Sequence, residues 1–195
     1  MANPRDTSIP ADRLPPIPEA QWSAEQRDAV AEFSAGRGYA PLGPFWVMLR
    51  SPEVMLRAKA LGDYLRLRNR LPKDISEMAI LQTARGWSQS FEFVLHATFA
   101  AEAGLLQAVI DAIADGRRPE GLTGAHAAAY DFTAELQTHK RVSDATYARA
   151  VAAFGEAGVI DLTGIQGYYT FLAMMMNVAR TPPPDGHAGL PRWPE

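Results

Sequence analysis

The apolar residues of this chain recur at helical spacing, its Gly and Pro residues sit between the periodic stretches, and no stretch shows the period-two alternation of a strand. The fold class is therefore all-α. With 195 residues, 47% of them hydrophobic, the chain can bury one good core, and a single domain is the natural count. Residues 1–18 carry Pro4, Pro10, Pro15, Pro16 and Pro18, which forbid regular helix and predict an extended arm. An all-helical domain is expected over 19–180, and an irregular tail over 181–195 with Trp193 as its anchor.

Start and stop signals divide that domain. Ser23 and Gln26 have capping-box spacing and open a helix that Gly36 and Gly38 close. Phe45 to Leu49 form a short apolar segment after Pro44. Ser51-Pro52-Glu53 starts the next helix with proline at its first position, and that helix ends between Asn69 and Pro72. Further helices are expected over about 107–114, 123–138, 143–154 and 160–178. The last, with Tyr168, Tyr169, Phe171, Leu172 and Met174 to Met176, is apolar nearly all round and calls for burial on several sides or at a subunit interface.

Composition closes several classes of function. There is no cysteine, which removes disulfides, thiolate metal sites and thiol peroxidase chemistry together. A formal net charge of -3 lacks the basic footprint that nucleic acid selects. Neither an export signal nor a membrane span is legible, so no membrane partner and a cytoplasmic location are expected.

The chemistry concentrates between Leu71 and His96, LPKDISEMAILQTARGWSQSFEFVLH. Two helices meeting near Gly86-Trp87-Ser88 are expected, the first capped by Asp74 or Ser76 and the second by Ser88. On the second, Gln89, Glu92 and His96 fall at i, i+3 and i+7 and project from one face, beside Phe91, Val94, Leu95 and Phe99. A polar stripe so flanked suggests a lined pocket.

This stretch resembles the carboxymuconolactone decarboxylase and alkylhydroperoxidase D superfamily. Peroxidase members carry a glutamate, eleven residues, Cys-x-x-Cys, three residues and a histidine. Here those places hold Glu77, Gln89, Glu92 and His96, with Gln89 and Glu92 where the cysteines would stand. The chain also looks like a cysteine-free branch with Ser88, Ser90, Phe91, Glu92, Phe93 and His96 as its run. LRSPEVMLRAKALGDYLRLRNRLP, AAEAGLLQAVIDAIADGRRP and IQGYYTFLAMMMNVAR share the family's look, so the resemblance spans about 43–180.

The resemblance implies the alkylhydroperoxidase D-like helical array, a homotrimer or homohexamer, and a lyase without cofactor or metal that acts on a small unsaturated lactone or carboxylate. It assigns His96 the proton transfer, Glu77 its orientation, and Glu92 a proton shared with Glu77. Substrate contacts are expected from Arg85, which would hold a carboxylate, and from Gln89, Trp87, Phe93 and Tyr168. Each residue also has a plain structural explanation. Glu77 has capping-box spacing from Asp74, Glu92 could be a solvated partner of His96, His96 could be a core histidine, and Arg66, Arg68 and Arg70 read as a solvated helix end. A non-redox isomerase or hydrolase, a divalent metal held by Glu77, Glu92 and His96, and a non-catalytic ligand-binding oligomeric module stand as alternatives.

Overall fold

The computed structural model describes residues 12–35 and 37–191. Gly36 and Trp193, to which the sequence assigned a helix stop and a tail anchor, lie outside the described residues. Helices α1 (Ala24–Ser34), α2 (Pro44–Met48), α3 (Pro52–Leu67), α4 (Lys73–Gly86), α5 (Ser90–Glu102), α6 (Gln107–Ala114), α7 (Gly124–His139) and α8 (Asp144–Ala179) follow in order, with no strand among the described residues.

Local chemistry fixes several of the ends. The Ser23 hydroxyl accepts from the Gln26 amide at 3.1 Å, and the Gln26 side chain accepts from the Ser23 amide at 2.9 Å, so the capping box is complete. Pro52 is the first residue of α3 as expected, although Ser51 makes no side-chain cap. Ser143 caps α8. Gly155, with φ of 68° and ψ of 169°, breaks α8 into two helical parts, 144–154 and 156–179, that meet at a kink, so the two helices expected on either side of that glycine are found.

Three expectations are corrected, two of them at the central stretch. Helix α4 starts one residue after Pro72, which places Asp74 and Ser76 inside the first turn: the Ser76 amide bonds the Pro72 carbonyl at 3.0 Å, and Asp74 bonds His126 at 2.7 Å. Ser88 does not cap α5. The chain leaves α4 through Ser88 at φ 48° and closes with a bond from the Gln89 amide to the Ala84 carbonyl at 2.8 Å. That turn moves the cap to Gln89, whose side chain accepts from the Phe91 amide. Nor do all glycines lie between helices. Gly62, Gly158, Gly164 and Gly167 are inside α3 and α8, and the first three lie where a Cβ would crowd Tyr168, Phe154 and Leu65 respectively.

Helix α4 is the centre of the molecule, packed by α5, α6, α7 and α8 and buried from Ile75 to Arg85 on every side. Its polar residues must therefore find partners inside the protein. Thr83 donates to the Ala79 carbonyl at 2.9 Å and accepts from Gln137 at 2.9 Å, while Gln82 donates to the Tyr130 carbonyl. Met78, Leu81, Leu162, Ile165, Tyr169 and Met176 form the core between α4 and α8. No helix among the described residues is long and apolar enough to cross a membrane.

Candidate functional site

Helix α4 delivers Glu77 to the face that meets α5, and the Glu77 side chain is fully buried. Its Oε2 lies 2.6 Å from His96 Nδ1. Lys73, one turn earlier on α4, sets Nζ 2.8 Å from Oε1, an ion pair that reaches in from solvent. Burial pushes the Glu77 carboxyl up, but His96 and Lys73 outweigh it and hold the group below its ordinary value. His96 is also buried. Burial lowers its pKa, Glu77 opposes that, and Arg66 and Lys73 add to the lowering. The two directions agree on one state: Glu77 ionised and His96 neutral. A carboxylate at Nδ1 fixes the proton on that nitrogen, which leaves Nε2 as the basic atom of the ring.

His96 stands in the wall of a cavity of about 310 Å³, within the range of small-molecule sites. Two helices supply most of the wall by their periodicity. Phe91, Glu92, Leu95, His96 and Phe99 come from one face of α5, and Tyr168, Tyr169, Leu172 and Met176 from one face of α8. Phe33, Arg37 and Phe45 close it from α1, the following loop and α2, and Arg66 enters from the end of α3. Half-exposed Tyr39 and Leu42 stand at its solvent side.

The wall is apolar apart from a few groups, each in a defined state. Glu92 is buried, and one of its oxygens is sealed from water with no partner; burial alone drives its carboxyl well above the ordinary value, so it is held as a neutral acid. Burial also raises the hydroxyls of Tyr168 and Tyr169. Arg37 is paired to Asp63, which also binds Lys59 at 2.9 Å.

Of the residues singled out in the sequence, Glu92, His96 and Tyr168 meet in the cavity wall, and Glu77 lies behind His96. The expected sharing of a proton between Glu77 and Glu92 is not found, because Glu77 is committed to His96 and Lys73 and burial alone moves Glu92. The other expected substrate contacts do not line the cavity. Gln89, as the α5 cap, donates to Asn177 at 2.9 Å and ties α5 to α8. Arg85 donates to the Pro191 carbonyl at 2.8 Å, Trp87 reaches Thr170 at the surface, and Phe93 turns into the core from the other side of α5. Among the described residues no three His, Asp or Glu side chains converge as metal ligands, so Glu77, Glu92 and His96 do not form the expected alternative metal site.

Arg66 was missed. It reads as part of a basic helix end, and only the approach of α5 and α8 makes it a cavity residue. Its i, i+4 relation to Gly62, the position that accommodates Tyr168, is the one trace in the sequence.

No family model and no curated protein matches the chain. A solved structure described as the alkylhydroperoxidase AhpD core, an uncharacterized peroxidase-related protein from Ralstonia eutropha JMP134, superposes with a TM-score of 0.73 at 20% identity, covering 90% of this chain and 94% of that one. The fold is that of the AhpD core. On this AhpD-core fold the helical array and its single domain follow, and the absence of any cysteine closes thiol peroxidase chemistry.

Proposed function

We propose that the cavity is the active site of a lyase that acts on a small unsaturated lactone or carboxylate by proton transfer. The observation that carries this reading is His96 in the wall of an apolar cavity, held from behind by Glu77 at 2.6 Å, with neutral Glu92 in the same wall. A neutral base and a neutral acid one helical turn apart suit chemistry that gives and takes protons. In a decarboxylation, the bond to the carboxylate carbon breaks, carbon dioxide leaves, and its electron pair enters the conjugated system as a dienolate. Glu92 then donates its proton to carbon, and its carboxylate regains a proton relayed from water through His96 Nε2. Glu77 holds the ring in the tautomer this requires. The expected carboxylate contact from Arg85 is not part of this reading, since Arg85 serves the tail.

Loss of a carboxymuconolactone, followed by ultraviolet absorbance, tests the reaction. Turnover that falls by about 10²–10⁴ in His96→Ala supports the reading; equal turnover in the variant, or none in the wild type, rejects it. The same acid and base favour a second reading, an isomerase. Its sign is deuterium entering an unsaturated carboxylate in heavy water without release of carbon dioxide. A third, a binding module without catalysis, keeps the open cavity and predicts neither event.

We further propose a homotrimer or homohexamer. In support, α3 and α8 leave Leu61, Ile160, Met174 and Val178 exposed.

A further inference from the structure

We infer that Arg66 is the anion anchor of the cavity, so that the ligand is a small carboxylate with a planar unsaturated body whose carboxylate lies against the Arg66 guanidinium. The inference rests on the reading of this cavity as the substrate site, and names what the site selects. Two cations line the cavity, and they differ in one respect. Arg37 is neutralised by Asp63, which is itself shared with Lys59. The Arg66 side chain makes no hydrogen bond or ion pair among the described residues, and its Nε is sealed from water without a partner. The ring of Phe99, 5.1 Å from the guanidinium carbon to the centroid, supports its flat face.

Among the described residues, neither carboxylate near the cavity serves the edge of that guanidinium. Glu92 is held neutral by burial, and the ionised Glu77 is spent on His96 and Lys73 behind the wall. A guanidinium cannot shed its charge and presents paired donors that match a carboxylate. A half-buried guanidinium that lines an apolar chamber with no counter-ion among the described residues is a fitting partner for a ligand's carboxylate. The rest of the chamber, with Phe45, Phe91, Phe99, Leu95 and Leu172, accepts a flat apolar body.

Calorimetric titration with trans-cinnamate and its uncharged isostere cinnamamide tests the inference in wild type, Arg66→Met and Arg66→Lys. Wild type should bind the acid at least about ten-fold tighter than the amide, the difference one charge-assisted hydrogen bond gives. Arg66→Met should lose that preference while still binding cinnamamide within a few-fold, which shows that the chamber persists. Arg66→Lys, a point charge without the planar fork, should retain only part of the preference. Equal binding of acid and amide by the wild type, a preference that survives in Arg66→Met, or no binding of either probe by the wild type overturns the inference. The turnover and deuterium assays are read separately. A cinnamate preference lost in Arg66→Met, with no turnover of any substrate, sinks the acid–base reading and leaves the anchor.

Discussion

Glu92 and His96 pull the pH dependence of stability in opposite directions. Burial raises Glu92, so as pH climbs above its ordinary value of 4.5 the unfolded chain ionises and the folded one does not; its contribution is full below that value and lost as pH rises. His96 is lowered, so below its ordinary value of 6.5 the unfolded chain takes up a proton that the folded one refuses; its contribution is full above that value and lost as pH falls. Glu92→Gln removes only the first effect. Its melting temperature should therefore gain on the wild type as pH rises above 4.5, and a difference that stays flat or narrows would contradict a neutral buried Glu92. Glu77, Glu92 and His96 were legible because one short stretch carries them all. Their states were not legible, since ionisation depends on which groups α4, α3 and α8 bring within reach. Spacing suggested a Glu92–His96 pair, whereas packing turned His96 to Glu77, 19 positions away.

At the level of elements, small residues inside α3 and α8 set how closely the helices approach. A Cβ at Gly62 would fall 2.7 Å from the Tyr168 ring carbon that bears the hydroxyl, whereas at exposed Gly167 it would meet nothing within 4 Å. Gly62→Ala should cost about 1–3 kcal/mol and weaken ligand binding by displacing Tyr168 from the cavity wall. Gly167→Ala should be neutral or stabilise by up to about 1 kcal/mol through helix propensity. Denaturant midpoints distinguish them, and equal effects would show that Gly62 is not a packing site. Helix existence was legible from period and punctuation, as the completed capping box at Ser23 and the kink at Gly155 show. Boundaries shifted where backbone bonds outbid side-chain caps, as at Pro72 and at the turn through Ser88.

For the whole molecule, the cavity exists because α1, α2, α3, α5 and α8 enclose one space around the edge of the core. The proposed assembly is checked by light scattering, which should give three or six times 21.3 kDa; a monomer at working concentration would remove that proposal. The hydrophobic period and the capping signals, both local, were enough to determine an all-α single domain. The lack of cysteine excluded one chemistry outright, and the spacing of Glu77, Glu92 and His96 marked the region where another is possible. Only the tertiary structure decided that Gln89 is a cap, that Arg85 serves the tail, and that Arg66 faces the cavity with no counter-charge among the described residues. The reason is physical. A side chain's helix face follows from its place in the sequence, but its partners, its burial and hence its charge follow from what the rest of the chain packs against that face.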